Sequence, residues 1–486
     1  MIAPATFHRR AHDALGDATL RGAIRQVTSR VLASRATALE DLHSADAWRD
    51  HARRLRAHTL ARLDTYLDQF VASVEARGGH IYYAHTADDA VRYVADLANA
   101  RGLRLAVKSK SMISEEISLN AHLEQAGVRV VETDLGEFVV QVAEDHPSHI
   151  VMPIIHKTRE QVADLFRAKL GATEDDLATV ERMTQFARRL LRGEFLEADL
   201  GISGVNFGVA ETGSLCIATN EGNGRLTTTL PRVHVAMMGI ERLVPTMADL
   251  AVMLKVLARS ATGQRLTVYT NIINGPRPDA EADGPEELHV VLLDNGRSRV
   301  LGSELAEILY CIRCGACLTA CPVYQQIGGH AYGSIYSGPV GAVLTPALKG
   351  VAAAADLPHA SSLCGACREV CPVRIDIPRM LLKLRTDPAA VATTPLPMRQ
   401  GLRLFAWLGR RPRLFHAAGR LAAAATRLIA RGGWIRTLPG PLGGWTASRD
   451  FPAMAAESFQ QRWSRRRAAA PASAPANSSR TGTPHS

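Results

Sequence analysis

The chain has 486 residues, of which 47% are hydrophobic and 21% are charged, a composition typical of globular proteins with two or three domains. Its formal net charge is +10, but the residues from Leu396 onward contain 15 Arg and only two acidic residues, for a net charge of +13. The preceding residues carry 42 basic and 45 acidic side chains, so the net charge does not imply a nucleic-acid-binding surface along the whole chain.

The first residues, MIAPATFHRRAHDALGD, contain a basic pair but no apolar stretch long enough for a signal peptide. No window approaches the roughly 18–20 uninterrupted apolar residues of a transmembrane helix. Seven of the eight cysteines lie within about 60 residues, which favours metal binding over disulfides in a chain of this size. We therefore expect a cytoplasmic protein.

Residues 1–70 are predicted to form a helical N-terminal segment, and Gly78-Gly79 ends the helical pattern that follows it. Over residues 71–300, short apolar runs alternate with helical segments such as Ala87–Arg101 and Ser114–Ala126. This alternation predicts an α/β domain with a largely parallel sheet, ending near the turn signal at residues 294–296. The predicted strands are HIYYA, LRLAVKS, VRVVETD, HIVMP, NFGVAE, SLCIAT, HVAMMGI, RLTVYTNII and HVVLLD.

Residues 301–390 lose the strand pattern and contain the seven clustered cysteines between segments of helical character. A basic C-terminal segment follows over residues 391–465, with a candidate amphipathic helix over Arg413–Arg431. Residues 466–486 are rich in Pro, Ala and Ser, which predicts disorder.

The first cysteine motif is CIRCGACLTACP, which begins at Cys311 and places further cysteines at 314, 317 and 321. Three thiolates at two-residue gaps can bind three corners of one cubane cluster, and the fourth cysteine, followed by proline, is directed to a second cluster. Gly315 keeps side-chain bulk away where the backbone passes close to the cluster. Zinc motifs rarely use this run of four cysteines. The motif therefore predicts iron–sulfur clusters and electron transfer.

The second motif is CGACREVCP, with cysteines at 364, 367 and 371. By the same exchange, Cys371 is expected to complete the first cluster, and Cys321 to join Cys364 and Cys367 on the second. Ser361 stands where a fourth cysteine is expected. A serine oxygen ligand, a non-protein ligand, a three-iron cluster and an ordinary loop residue all remain open at this position.

Two glycine-rich stretches of the α/β region are candidates for ligand binding at strand ends. They place Glu211 as a candidate for polar recognition or proton transfer and Arg225 as a candidate clamp for a carboxylate or phosphate. Ordinary turns are the alternative for both. Core or strand-end roles are favoured for His156 and His234, and Cys216 is expected to be a small buried hydrophobic residue.

The stretches VKSKSMISEEISLN, ETDLGEFVVQ, PSHIVMPIIHKTRE, FGVAETGSLCIATNEGNGR and LYCIRCGACLTACPVY together resemble the iron–sulfur B subunit family of bacterial lactate-utilization systems. The resemblance covers roughly residues 60–450. It implies a lactate-utilization domain similar in fold to sugar-phosphate isomerases and CoA transferases, then a helical ferredoxin domain with two 4Fe-4S clusters, then a family-specific C-terminal segment. It also implies that Cys311, Cys314, Cys317 and Cys371 hold one cluster, and Cys321, Cys364 and Cys367 the other.

The family's role implies electron transport during oxidation of L-lactate to pyruvate, together with two companion subunits and a quinone or other electron acceptor. No GxGxxG follows a predicted strand, so no flavin or nicotinamide site is indicated. The Arg-rich tail predicts docking on an acidic partner subunit or peripheral contact with an anionic membrane, with a solvated basic face as the alternative. The rival hypothesis is an α/β protein that itself binds or converts a small molecule, with clusters that sense redox state or stabilise the fold.

Overall fold

The protein is described by a computed structural model that covers residues 6–388, 396–438, 440–446 and 449–469. Residues 6–388 belong to one compact unit, and the described residues from 396 onward belong to a second. The predicted disordered segment over 466–486 lies mostly outside the described residues, since the last described helix ends at residue 469. No helix in the described part of the chain is long and apolar enough to cross a membrane.

The strands show why the α/β region folds around a parallel sheet. The inner strands are rich in apolar residues and buried along nearly their whole length, as expected for strands covered on both faces. In chain order the described strands are β1 His80–Ala84, β2 Leu105–Lys108, β3 Arg129–Glu132, β4 Leu200–Gly204, β5 Phe207–Val209, β6 Ser214–Thr219, β7 Val233–Gly239, β8 Leu243–Val244, β9 Tyr269–Ile273, β10 Glu287–Leu293, β11 Trp434–Ile435 and β12 Phe451–Pro452.

Six strands form an entirely parallel sheet in the order β1-β10-β7-β4-β2-β3. This confirms the predicted α/β class. A second sheet, in the order β8-β5-β6-β9, pairs β6 antiparallel with both β5 and β9. The chain passes from β2 to its neighbour β3 on one side of the sheet, and from β4 to its neighbour β7 on the other side. The strand order therefore reverses between β2 and β4, which are adjacent in the sheet. Ligands bind at the carboxyl ends of strands at such a point in open α/β sheets.

The helices begin and end at local signals that are legible in the sequence. For example, the Thr86 side chain caps a helix and Asp89 returns a hydrogen bond to the cap. In chain order the helices of the first unit are α1 Phe7–Gly16, α2 Ala18–Glu40, α3 Ala45–Ala61, α4 Leu63–Glu75, α5 Ala87–Arg101, α6 Met112–Glu116, α7 Leu119–Gln125, α8 Leu135–Val142, α9 Arg159–Leu170, α10 Glu174–Leu177, α11 Val180–Glu197, α12 Asn223–Thr229, α13 Met247–Ala261, α14 Arg297–Leu301, α15 Ala316–Thr319, α16 Tyr324–Ile327, α17 Gly338–Lys349, α18 Ala366–Val370 and α19 Ile377–Arg385.

One hydrophobic core runs from the parallel sheet into the cysteine-containing region. It includes Val290 of β10, Phe70 of α4 and Leu55 of α3, together with Tyr324 and Cys314. The opposite face of the sheet packs on α5 and α7. Because buried side chains of both regions are in continuous contact, the α/β domain and the cysteine-containing region form a single packed body.

The second unit is mainly helical, in keeping with the predicted helical tail. Its helices are α20 Leu396–Gly409, α21 Pro412–Ile429 and α22 Phe459–Ala469, and β11 and β12 form a short antiparallel pair. The candidate helix predicted over Arg413–Arg431 corresponds to α21. Leu421 and Leu428 of this helix are 73% and 86% exposed.

One strand assignment made from the sequence is wrong, and one strand of the parallel sheet was not predicted. The run HIVMP over residues 149–153 is a loop, because the Val151 and Met152 N–H groups donate to His149 Nδ1 at 3.0 and 3.1 Å rather than to a strand. Conversely, β4 was not predicted, since it contains two glycines and few branched residues. A Cβ at Gly201 would lie 2.0 Å from the Thr227 carbonyl oxygen, so close packing of α12 requires glycine in this central strand.

Candidate metal centre

The two cysteine motifs share one local backbone shape. In the first loop Arg313, just before Cys314, has φ +59°, and Gly315, just after it, has φ +74°. In the second loop Leu363 and Gly365 flank Cys364 with φ +55° and +85°. Left-handed conformation at a non-glycine residue is unfavourable, so the surrounding contacts must hold both loops in place.

Gly315 is required by the fold as well as by the loop. A Cβ at this position would lie 2.9 Å from Cε1 of the His149 ring and 3.2 Å from a Val151 methyl group. The sequence indicated a close approach at this glycine, and the approaching group within the protein is the loop over residues 149–153. The first cysteine loop is therefore pressed against the α/β domain.

Four thiols converge on one cavity in the hydrophobic core. They come from both motifs, because Cys371 follows α18, whereas Cys311 and Cys314 precede α15 and Cys317 lies within it. Apart from Arg313, the rest of the lining is apolar and includes Ile150, Val340 and Val373. None of the eight cysteines, all of which are in described residues, forms a disulfide. The four converging thiols belong to Cys311, Cys314, Cys317 and Cys371.

The chemistry of these four thiols fits a resident metal cluster. Burial and mutual repulsion raise the pKa of Cys314 to about 12, and burial raises the pKa of Cys371 to about 11. Thiolates are therefore unfavourable here unless a cation compensates their charge, as a bound metal does. The Arg313 and Ile375 N–H groups donate to the sulfurs of Cys311 and Cys371, each at 3.4 Å. Thiolates with N–H···S hydrogen bonds are the usual environment of iron–sulfur clusters.

The remaining three clustered cysteines form a second set that reaches the surface. Cys321 and Cys367 are buried, whereas Cys364 is exposed. The three thiols are close enough to repel one another as thiolates, which contributes to the raised pKa values of Cys321 and Cys367 after the larger effect of burial. In Cys364, by contrast, hydrogen bonds from the Ala366 N–H and the Ser362 hydroxyl lower the pKa.

Ser361 lies in the loop that leads to Cys364. Its hydroxyl oxygen accepts a hydrogen bond from the Leu363 N–H at 3.1 Å, and its carbonyl accepts one from Arg385 at 2.9 Å. The hydroxyl thus has a role in shaping the left-handed turn at Leu363.

A buried charge network joins the first cysteine loop to the α/β domain. Arg297 donates to Glu241 Oε2 at 2.8 Å and to Glu116 Oε2 at 2.7 Å. Arg313 lies 3.4 Å from Glu241 Oε1 and covers the ring of Tyr336 at 4.9 Å. Although burial favours the neutral acid, Arg297 and Arg313 hold the pKa of Glu241 at about 2. The network keeps two carboxylates and two guanidinium groups ionised inside the protein.

The sequence reading missed a set of arginines on the N-terminal helices. Arg49 of α3 donates to the Cys371 carbonyl oxygen at 2.9 Å, and Arg35 of α2 donates to Val370 at 2.9 Å. Arg53 donates to the Arg374 carbonyl at 2.5 Å, and Arg56, fully buried, donates to Leu309 at 3.0 Å. The signal that could have revealed them is the spacing of Arg49, Arg53 and Arg56, which places them on one face of a helix.

Glu211 and Arg225 lie apart from the cysteines. Both side chains are exposed, and Glu211 Oε2 accepts a hydrogen bond from the Met247 N–H at the start of α13 at 3.1 Å. Cys216 is fully buried in β6, as expected for a small core residue, and burial raises its pKa to about 12.

The two histidines considered from the sequence also lie apart from both cysteine sets. His234 is fully buried, with Nε2 2.7 Å from the Ser203 hydroxyl. His156 Nε2 lies 3.1 Å from Asp145. The Nδ1 atoms of both histidines are buried without a hydrogen-bond partner among the described residues, so each ring is paired through Nε2 alone.

Three family models match successive parts of the chain. The LUD domain matches residues 67–293, the 4Fe-4S dicluster domain matches residues 307–375, and the C-terminal region of lactate utilisation protein B matches residues 395–468. The dicluster match covers all seven clustered cysteines, which supports iron–sulfur clusters as the cofactors.

Curated relatives match over nearly the full length. Lactate utilization protein B 2 of Bacillus mycoides is 45% identical over 94% of this chain and 97% of its own. Lactate utilization protein B of Shouchella clausii is 45% identical over 94% of this chain and 96% of its own. The Bacillus thuringiensis protein of the same name is 45% identical over 94% and 97%. With this identity and coverage, the chain belongs to the lactate utilization protein B family and has an iron–sulfur role in lactate utilization.

Proposed function

We propose that this chain is the electron-transfer subunit of a lactate-oxidising system, which passes electrons between two 4Fe-4S clusters to an acceptor during oxidation of L-lactate to pyruvate. The observation that carries the proposal is the contrast between four thiols in the core and three further thiols that extend to the surface at Cys364. When bound, such clusters supply one-electron redox chemistry.

The protein's own residues support this role by excluding water and compensating charge. Apolar side chains surround the first set, and Arg35 and Arg49 bring positive charge close to Cys314 and Cys371. Fixed N–H donors and guanidinium groups stabilise thiolates without rearranging during electron transfer. Because Cys364 is exposed, we expect an external partner to exchange electrons with the second set rather than with the first.

The choice of lactate as the electron source comes from the relatives named lactate utilization protein B. In this proposal companion subunits of the same system supply or receive electrons, and a quinone or another acceptor removes them. We assign no step of lactate chemistry to Glu211 or Arg225, because both are exposed and lie apart from the cysteines.

The test is anaerobic reconstitution with iron and sulfide, followed by iron analysis and low-temperature EPR. We expect signals from two clusters, reducible by L-lactate only after the companion subunits are added. The Cys314→Ala variant is expected to abolish lactate-dependent growth, and Cys216→Ala is the matched control because Cys216 lies in a strand away from both sets. Normal growth of the Cys314→Ala variant would refute the electron-transfer role.

We further propose that the second unit contacts an anionic lipid surface near the acceptor. Along α21, Leu414, Leu421 and Leu428 recur every seven residues and are exposed, and Arg420 and Arg427 border this stripe. Exposed leucines beside arginines are typical of helices that lie in a membrane interface.

Flotation with vesicles of anionic and of neutral lipid tests this contact. Binding to anionic vesicles that is lost in Leu421→Asp supports it. Binding only to an acidic companion subunit, with no flotation, would replace the membrane with that partner.

A further inference from the structure

A cavity of about 510 Å³ lies between the α/β domain and the first cysteine loop. Its lining includes Ser109 after β2 and Gly204 at the end of β4, the two strands that flank the reversal in strand order. It also includes Cys314 of the first cysteine loop. The cavity therefore combines the usual ligand position of an open α/β sheet with direct contact to a residue of the metal centre.

Two buried polar groups in this cavity make no hydrogen bond to any described residue. They are the hydroxyl of Ser109 and the carbonyl oxygen of the Asn223 side chain, in residues that are 4% and 5% exposed. Buried polar atoms in folded proteins are nearly always paired with protein, water or ligand. Both residues are thus positioned to bind a polar group that enters the cavity.

Cations line the side of the cavity nearest the cysteines. Arg242 donates to the Cys311 carbonyl at 3.4 Å, and Lys110 donates to the Val151 carbonyl at 2.7 Å. Neither forms an ion pair with a carboxylate among the described residues. Arg313 also lines the cavity, and its Nη1 is buried without a hydrogen-bond partner in the described part of the chain. Of these three cations only Arg313 forms an ion pair, with Glu241, so Lys110 and Arg242 are the charges that favour an anionic ligand.

Two carboxyl groups also belong to the lining. Asp134 caps α8, and Glu221 accepts a hydrogen bond from the Leu135 N–H at 3.1 Å. Apolar side chains, including Met237 and Leu257, form much of the remaining wall. A ligand with one anionic end and one apolar end matches this distribution.

We propose that the cavity binds a small organic acid, with its carboxylate among Lys110, Arg242 and Arg313, a second oxygen bound by Ser109 and Asn223, and an apolar chain along the Met237 wall. The proposal deepens the proposed function, on which it rests for the choice of 2-hydroxy and 2-oxo acids as ligands. It assigns organic-acid binding to this chain rather than to a companion subunit.

The volume and the apolar wall distinguish this site from one specialised for lactate alone. Each additional methylene placed against apolar side chains strengthens binding about fourfold. We therefore expect 2-hydroxyhexanoate to bind more tightly than L-lactate. Lactamide, which lacks the carboxylate, is expected to bind far more weakly than either acid.

The test is anaerobic isothermal titration calorimetry of the reconstituted full chain with L-lactate, pyruvate, 2-hydroxyhexanoate, lactamide and inorganic phosphate. Lys110→Gln is expected to weaken binding of the acids about tenfold or more, because it removes a charged hydrogen-bond donor. Ser109→Ala is the second variant, and Arg188→Gln is the control because Arg188 is exposed on α11. EPR of the same samples is expected to show a ligand-dependent change in the first cluster's signal.

The outcomes separate this proposal from the electron-transfer role. Failure of every acid to bind a chain that holds both clusters, or equal binding of phosphate and lactamide, would overturn the carboxylate site. Reduction by lactate with companion subunits present would still support electron transfer in that case. Acid binding that Lys110→Gln and Ser109→Ala leave unchanged would also overturn the assignment to this cavity.

Discussion

The two cysteine sets have nearly the same loop conformation but very different surroundings. Cys314 and Cys364 each follow a residue in the left-handed region and precede a glycine in that region. Cys314 is 8% exposed and lies in the continuous core, whereas Cys364 is exposed. The difference shows that a cysteine motif specifies local geometry, while the packing of distant segments decides whether the site is enclosed or accessible.

The surroundings of the first set come from three parts of the chain. The loop containing His149 presses on Gly315, α3 directs Arg49 to the Cys371 carbonyl, and Glu241 faces Arg313. The second set ends at the surface, where Cys364 is exposed. We infer that the first set holds its cluster in an enclosed environment with fixed charges, whereas the second set exchanges electrons with a partner.

The largest expected effects come from replacing Cys371 and Cys321. We assign each of these cysteines to the cluster that is held mainly by the other motif. Cys371→Ala is expected to remove the first cluster, and Cys321→Ala to disrupt the second, because each thiol completes the other motif's site. Iron analysis should show a loss of about four irons per chain for Cys371→Ala. EPR shows which signal disappears in each variant. Loss of the second signal in Cys371→Ala would reverse the assignment, and Cys216→Ala should retain both.

The next largest effect concerns the charge network beneath the first loop. Glu241→Gln leaves Arg297 and Arg313 with less compensation in the core, so we expect unfolding to become easier by about 3–5 kcal/mol. Denaturant titration under anaerobic conditions measures this change. Glu457→Gln is a matched control because its pair with Arg465 is exposed, where ion pairs contribute only about 0–1 kcal/mol. Equal effects of the two changes would contradict the structural role of Glu241.

The pKa of Glu241 also predicts how its contribution varies with pH. Its folded-state pKa of about 2 lies below the usual value of 4.5, so its stabilising effect is fully present above that usual value. The effect is lost as the pH falls toward 2. The difference in stability between the wild type and Glu241→Gln should therefore be constant from pH 5 to pH 8.

A smaller effect is expected when a cation beside the first set is removed. Arg49→Gln takes away positive charge that favours the reduced, more negative state, so the first cluster's reduction potential should fall by on the order of 50 mV. Potentiometric titration followed by EPR measures both clusters. Arg54→Gln, exposed on the same helix, is the control. An equal fall for the second cluster would show that the arginine acts at long range rather than on the first set.

The smallest effect is expected at Ser361. Because its hydroxyl accepts one hydrogen bond from the Leu363 N–H, Ser361→Ala should lower stability by about 1 kcal/mol and leave the iron content unchanged. Iron loss in this variant would instead identify the serine oxygen as a ligand. Ser361→Cys offers a fourth thiol at the same position, and a change in the second cluster's EPR signal would show that a thiol there reaches the iron.

Much of the fold was predictable from local patterns. The helix at Ala87–Arg101 has a capping signal and a glycine after its end, and the predicted and observed bounds agree. The central strand β4 was not predicted because it contains glycine where α12 packs closely against it. That packing cannot be inferred from the neighbouring residues in the sequence. The HIVMP run was misassigned because its apolar residues cover the first cysteine loop rather than a sheet face.

By itself the sequence determined the α/β class, the cysteine spacing and the family, since each depends on residues that are close in the chain. Only the tertiary structure decided that Cys364 is exposed, that Arg35 and Arg49 lie beside the first set, and that a cavity adjoins Cys314. These features require contacts between segments hundreds of residues apart. Burial and electrostatic fields arise from such contacts, so they are properties of the packed molecule rather than of any motif.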